Sequence, residues 1–142
     1  MRFHRTLLPA VLLGALLTPQ ALRAEDAVNK ANPGQNVELK SFLRQGRTNI
    51  VDFYSKYCPP CMRISPLLEQ LGQKRSDLQI VKLDINRPDV TGIDWRSPLA
   101  RQFNLQSIPH FKIYDGNGKL LKEGDPAFEQ VVAWLKAEKL GN

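Results

Sequence analysis

Residues 49–74 read NIVDFYSKYCPPCMRISPLLEQLGQK, and this stretch decides the fold. Its first seven residues are mostly apolar and rich in strand formers, so we predict a buried strand there. The part from Pro59 to Lys74 carries apolar residues at helical spacing, which predicts a helix kinked at Pro66. Between the strand and the helix lie Cys58 and Cys61, the only cysteines in the 142 residues. A Cys-x-x-Cys pair in this context indicates a redox site.

The position of the two cysteines predicts their chemistry. A helix N-terminus presents unpaired backbone amides and the positive end of the helix dipole, and both stabilise a thiolate. We therefore expect Cys58 to be exposed, to have a pKa below the value of about 8.5 for free cysteine, and to act as the nucleophile. Cys61 lies one turn further in and would resolve the mixed disulfide. Pro59 and Pro60 fit the first turn, where a missing amide proton costs nothing.

Two other uses of the cysteine pair are possible from the residues alone. One is a structural disulfide, but a bridge across two residues closes a very small loop and constrains the unfolded chain little. The other is half of a zinc site, which needs further ligands. The chain has no second cysteine pair, and its only histidines are His4 and His110. We therefore predict redox chemistry, with no bound metal and no cofactor.

The first 24 residues have the pattern of a secretory signal peptide. A short basic opening, MRFHR, precedes an apolar run over 7–17 that is too short to span a bilayer comfortably. We predict cleavage after Ala24, with an uncleaved N-terminal anchor as the alternative, and hence a periplasmic protein. Without residues 1–24 the net charge falls from +6 to +3, because three arginines are removed. A nucleic-acid partner is then not indicated.

The remaining chain predicts one domain over 37–142, preceded by a flexible lead-in over 25–36 that is polar and contains Pro33-Gly34. In chain order we predict a helix over 37–45, the strand and helix above, a strand over 79–85, a short helix capped by Ser97, hairpin strands over 110–114 and 119–123, and a closing helix from Pro126. This order predicts an α/β fold with a mixed central sheet of about four strands flanked by helices.

Six features in this order resemble the thioredoxin family over nearly all of residues 37–140. They are the strand Val51–Tyr54, the pair Cys58 and Cys61, the kinking Pro66, the strand Val81–Asp84, the segment Ser107-Ile108-Pro109, and a glycine turn before the last strand. The resemblance implies a thioredoxin fold and an enzyme that exchanges thiols and disulfides. Its partners would be protein substrates that carry disulfides or thiols.

Asp52 interrupts an apolar strand, and a buried carboxylate is expensive unless it has a partner or a function. In thioredoxins the acid at this offset before the first cysteine lies behind the second cysteine and relays its proton. The resemblance implies that role for Asp52, with Lys82 on the next strand as its charge neighbour. Burial would raise the pKa of Asp52, and a nearby ammonium would lower it. The alternative is a solvated acid on an edge strand.

Four further residues are candidates for substrate binding. Alone, Pro109 indicates only a strand boundary. The resemblance implies a cis-proline packed against the disulfide, with the Ile108 backbone pairing with an extended substrate chain. Tyr57 stands where thioredoxins usually carry tryptophan, which changes the surface around the sulfur. Trp95 lies in the connection 86–98, which is longer than is usual in thioredoxins, and would contact a partner, act as a lid or anchor its own loop.

The combination predicts a protein-disulfide reductase. Ile108, Asp52 and Lys82 resemble reducing thioredoxins more than the periplasmic oxidants. We therefore expect a monomer that reduces disulfides of envelope proteins. It would be recharged by a membrane electron-shuttle protein, because the periplasm is kept oxidising. The Pro59-Pro60 pair replaces the usual Gly-Pro and alters the redox poise.

Other functions stay open on the sequence alone. Within the same class, the chain could work as a disulfide oxidase or isomerase. Outside it, Cys58 and Cys61, with His110 as a further ligand, could carry copper(I), since soft thiolates select that metal. A scaffold without redox activity that only holds a partner is a third alternative, against which the intact cysteine pair argues.

Overall fold

The computed structural model of the protein describes residues 26–141, so the predicted leader lies outside the described residues. Within this range no helix is both long and apolar enough to cross a membrane. The elements in chain order are a 3-10 helix, Leu39–Phe42; β1, Thr48–Tyr54; α1, Pro59–Lys74; β2, Leu78–Asp84; α2, Pro98–Gln102; β3, His110–Tyr114; β4, Leu120–Glu123; and α3, Asp125–Ala137.

The four strands form one mixed sheet in the order β2-β1-β3-β4. Strand β1 pairs in parallel with β2 and antiparallel with β3, and β3 forms an antiparallel hairpin with β4. A parallel pair needs a crossover connection, and α1 provides it. The prediction of an α/β fold with about four strands flanked by helices is confirmed.

The two faces of β1 bury different sets of side chains. Ile50 packs with Leu68 of α1 and Val131 of α3 in one apolar cluster. Val51 and Phe53 belong to a second cluster on the opposite face of the sheet. Because side chains alternate along a strand, Asp52 shares the face of Ile50 and is directed towards α1.

The helix predicted over 37–45 is shorter than expected. Only Leu39–Phe42 form a helical turn, and Leu43 is already extended, with φ −77° and ψ 136°. The Asn49 side chain accepts a hydrogen bond from the Arg44 backbone N at 2.8 Å and donates one to the Arg44 carbonyl at 3.1 Å. Such side-chain bonds compete with helical hydrogen bonds for the same backbone groups, which explains the early end.

Residues 26–36 pack along β2, where the sequence analysis predicts a flexible lead-in. The Val28 backbone N donates to the Lys82 carbonyl at 2.9 Å. The Asn29 side chain bonds both backbone groups of Asp84, at 2.8 and 3.0 Å. Strand β2 lies at an edge of the sheet, so its outward backbone groups need partners, and this segment supplies them.

Candidate active site

Cys58 and Cys61 form a disulfide at the N-terminus of α1. Cys58 is the N-cap residue, and prolines fill the first turn. The Cys61 backbone N donates to the Cys58 Sγ at 3.2 Å, so an amide at the helix tip points at this sulfur. Such an amide, together with the helix dipole, stabilises negative charge on the sulfur once the disulfide is reduced.

Cys58 is buried, which corrects the prediction that it is exposed. Only 2% of its surface is accessible, and Cys61 is fully buried. The Ile108 carbonyl oxygen lies 3.7 Å from the Cys58 Sγ. A disulfide sulfur has no proton to donate, so we interpret this as a packing contact. The prediction considered α1 alone, whereas the segment before β3 covers the sulfur from another side.

The Ile108–Pro109 segment thus lies beside the disulfide, and its peptide bond is cis. Next to it, a groove of about 270 Å³ opens between α1, Pro109 and α3. The groove is lined by Pro60, Arg63, Ile64, Leu67, Pro109 and Phe128. Five of these six residues are apolar, and Phe128 is 39% exposed. Arg63 and Phe128 were not predicted as site residues from the sequence, because only the fold brings α1 and α3 together at this point.

Asp52 is fully buried on the face of β1 that packs against α1. The Ser65 hydroxyl donates to its Oδ2 at 3.5 Å, and Oδ1 has no hydrogen-bond partner among the described residues. Burial raises the pKa of Asp52 from 3.8 to about 7, against the smaller lowering effects of Lys82 and Ser65. An acid that titrates near neutral pH can both take up and release a proton there. The alternative of a solvated edge-strand acid is wrong, because β1 is an inner strand.

Lys82 is the register partner of Asp52 across β1 and β2. Its Nζ donates to the Glu69 Oε1 at 2.7 Å and lies 5.3 Å from the centre of the Tyr54 ring. Lys82 therefore lowers the pKa of Asp52 through space while it forms an ion pair with Glu69. Ser65 and Glu69 were not predicted as site residues from the sequence. Their spacing was the available signal, because Ser65 lies four and Glu69 eight residues after Cys61, which places all three on one face of α1.

Comparison with known proteins gives the family of this chain. A family model described as Thioredoxin matches residues 31–137. The chain belongs to the thioredoxin family. It is 36% identical over 88 residues to a chloroplastic F-type thioredoxin of Pisum sativum, a match that covers 61% of this chain and 44% of the relative. An H-type thioredoxin of Brassica campestris is 30% identical over 100 residues, covering 70% of this chain and 75% of the relative.

The match therefore spans less than half the length of the chloroplast relative. Among solved structures, the crystal structure of reduced Schistosoma mansoni thioredoxin is similar, with a TM-score of 0.52 and 26% identity. That similarity covers 72% of this chain and 91% of the Schistosoma chain. It agrees with the fold described above.

The two aromatic candidates for substrate binding lie in different surroundings in this thioredoxin-family chain. Tyr57 directly precedes Cys58 and is partly buried, with the Lys56 Nζ 5.1 Å from its ring centre. Trp95 is 41% exposed in a loop held by the Arg87–Asp94 ion pair, with Nε and Oδ2 2.7 Å apart. Over residues 26–141, no hydrogen bond or ring contact joins the Trp95 side chain to the cysteine pair. The structure thus brings Tyr57 to the site, while a contact of Trp95 with a partner stays a prediction.

The copper(I) alternative gains no support from the described residues. Between residues 26 and 141, no group of three or more His, Cys, Asp or Glu side chains could hold a metal ion. The Nε2 of His110, the suggested third ligand, lies 3.3 Å from the Glu123 Oε1. The Glu123 Oε1 also binds the Lys112 Nζ at 2.8 Å. In this structure His110 is thus part of a polar contact between β3 and β4.

Proposed function

We propose that this chain is a thiol–disulfide oxidoreductase that reduces disulfides of envelope proteins. One observation carries the proposal: Cys58 and Cys61 form a disulfide at the tip of α1, where a helix amide donates to the Cys58 Sγ at 3.2 Å. A sulfur held in this way is favoured as a thiolate when the pair is reduced, and the thiolate is the attacking form. Membership of the thioredoxin family supports the same activity.

The reaction passes two electrons from the reduced pair to the substrate. The Cys58 thiolate attacks one sulfur of the substrate disulfide, and the other substrate sulfur leaves as a thiolate. Cys61 gives its proton to Asp52 and attacks the Cys58 sulfur of the mixed disulfide. The second substrate sulfur then leaves as a thiolate. The substrate ends as a dithiol, and the pair ends as the disulfide present in the structure.

The substrate chain would lie over the cysteines and the groove beside them. The apolar lining of the groove favours a large apolar side chain near the substrate cysteine. Arg63 is exposed at the groove and favours an acidic residue of the substrate nearby. Ile108, whose carbonyl lies 3.7 Å from the Cys58 Sγ, is in position for its backbone to contact the same substrate segment.

The cellular setting is part of the proposal. The pattern of residues 1–24 supports export to the periplasm. Conditions there would return the pair to the disulfide, so continued reduction needs an electron source. A membrane protein that shuttles electrons is the class of partner that meets this need. A monomer is sufficient, since the cysteines and Asp52 belong to one chain.

The direction of electron flow can be tested with the purified protein. We expect a reduction potential closer to that of thioredoxins, about −270 mV, than to that of the strong periplasmic oxidants, because Asp52 and Lys82 resemble the reducing members. We also expect the reduced protein to cleave insulin disulfides catalytically. A potential near about −120 mV, that of a strong periplasmic oxidant, together with net oxidation of dithiol substrates, would contradict the reductase and favour the oxidase alternative.

A further inference from the structure

A polar stripe crosses the buried face of α1. Cys61, Ser65 and Glu69 follow one another at intervals of four residues, so their side chains share one side of the helix. Ser65 donates to Asp52 at 3.5 Å, and Glu69 accepts from Lys82 at 2.7 Å. The stripe therefore links the face of the resolving cysteine to Asp52 of β1 and Lys82 of β2.

The Lys82 ammonium interacts differently with two carboxylates, those of Glu69 and Asp52. Asp52 and Lys82 are register partners, yet among residues 26–141 the carboxylate that forms an ion pair with Lys82 is that of Glu69. Both side chains of that pair are largely buried, with 7% of Lys82 and 17% of Glu69 exposed. A pair with so little solvent around it is weakly screened, so Glu69 holds the ammonium firmly. Asp52, in contrast, has an Oδ1 without a hydrogen-bond partner in the described part of the chain.

We propose that Glu69 is a positioning residue of the redox reaction: by holding the Lys82 ammonium, it limits the pairing of that charge with Asp52 and keeps Asp52 able to take the proton of Cys61. Glu69 acts through Lys82 and not on the sulfur itself. The catalytic meaning of this proposal rests on the proposed function. The arrangement of charges around Lys82 does not depend on the proposed function, so it can be tested separately.

The physical reason lies in the balance of charges around Asp52. Burial raises the pKa of Asp52 to about 7 with Lys82 in its present position. An opposite charge that approaches to within about 4–6 Å lowers the pKa of an acid by about 1–3 units. If Lys82 moved onto Asp52, the carboxylate would stay ionised well below neutral pH and would be a weaker base. Glu69 therefore keeps Asp52 a stronger base.

Other titratable groups face this region from the packed elements. Tyr54 and Asp84 lie on the same face of β1 and β2, and burial raises the pKa of Tyr54 to about 12, so its hydroxyl stays neutral. Asp26, before the first strand, is 63% exposed and bound to Lys30 at 2.7 Å. From β3, the register partner of Asp52 is the apolar Phe111. Within residues 26–141, the carboxylate in direct contact with the ammonium is that of Glu69, so we expect its substitution to have a large effect on Asp52.

The charge arrangement is tested by following the Asp52 carboxyl with carbon NMR in the oxidised protein. In Glu69→Gln we expect the midpoint of the Asp52 titration to fall by about 1 pH unit or more. The matched control, Glu129→Gln on the exposed side of α3, should leave the midpoint unchanged. Most of the shift should vanish when Lys82→Met is already present, since no ammonium can then move. The proposal would be overturned if the midpoint of the Asp52 titration stayed unchanged or rose in Glu69→Gln. It would also be overturned if that midpoint fell by the full amount when Lys82→Met was already present.

The link to catalysis needs a kinetic measurement. In Glu69→Gln, resolution of the mixed disulfide should slow at neutral pH, and the acidic limb of its pH profile should move to lower pH. Attack by Cys58 should keep its wild-type rate, and Glu69→Asp should restore resolution in part. A lowered Asp52 midpoint with unchanged resolution would overturn the positioning role. If the wild type reduces no disulfide at all, the proposed function fails, but the NMR comparison still decides where the charge lies.

Discussion

Replacing Cys58 by serine should abolish disulfide reduction. A serine hydroxyl stays protonated near neutral pH and cannot form a mixed disulfide, so the first step has no nucleophile. We expect the rate of insulin reduction to fall by at least about 1,000-fold, to the background of the assay. Cys58 contacts α1 and the Ile108 carbonyl, and the apolar clusters of the core are unchanged, so the variant should remain folded. Far-ultraviolet circular dichroism checks this.

Cys61→Ser is the matched control for Cys58→Ser. It keeps the attacking sulfur but lacks the resolving one, so the mixed disulfide with the substrate should accumulate. Non-reducing electrophoresis and mass spectrometry of the adduct identify the bonded cysteine. Adducts on Cys61 in the Cys58→Ser variant, with retained activity, would show that the roles of the two cysteines are assigned wrongly. The same trapped adducts would identify the envelope proteins on which the chain acts.

The second large effect concerns stability, because Asp52→Asn should stabilise the oxidised protein at alkaline pH. Burial raises the pKa of Asp52 from 3.8 to about 7 in the folded chain. Between these two values the folded state keeps a proton that the unfolded state has released. The free energy of unfolding therefore falls as pH rises through this window and stays low above it. At about 1.36 kcal/mol per unit, the full loss is about 4 kcal/mol.

Urea unfolding of the oxidised protein at about pH 4 and pH 8 measures this effect. Asparagine is close to aspartate in size and stays neutral, so Asp52→Asn should lose much less stability between the two conditions. At the higher pH it should exceed the wild type by about 2–4 kcal/mol. The exposed Glu129→Gln should follow the wild type at both conditions. Parallel pH dependences of Asp52→Asn and wild type would contradict a buried acid with a raised pKa.

Much of the architecture was predictable because its signals are local. The apolar spacing and first-turn prolines predict α1, and it covers Pro59–Lys74 as expected. Ser97 caps α2 by accepting from the Ala100 backbone N at 3.1 Å. The helix predicted over 37–45 was too long, because Asn49, which lies beyond the predicted segment, binds the backbone of Arg44. A rule based on the periodicity within a segment takes no account of a side chain several residues outside it.

The lead-in shows a related reason for failure. A polar composition predicts that a terminal segment is exposed to solvent, and this prediction is correct when the segment has no strand or helix to pack against. Here Asn29 binds the backbone of Asp84, and this bond has meaning only once β2 is known to be an edge strand. Strand order is a property of the whole sheet, and no residue of 26–36 carries a signal for it.

The residues of the candidate site also fall into those that could be predicted from the sequence and those that could not. Cys58, Cys61 and Asp52 stood out in the sequence because each is chemically unusual for its position. Ser65 and Glu69 did not, because a polar residue on a helix is ordinary until one knows that its face of the helix meets Asp52 and Lys82. The burial of Cys58 was missed for an analogous reason, since the covering Ile108 lies fifty residues further along the chain.

The central claim is that the tip of α1 makes Cys58 acidic. Its most direct test is a pH titration of the thiolate absorbance in Cys61→Ser, where Cys58 is the only thiol and the backbone amide of residue 61 is kept. We predict a midpoint at least about 1 unit below the value of about 8.5 for free cysteine. A midpoint at the free value would show that the helix amides do not activate this sulfur.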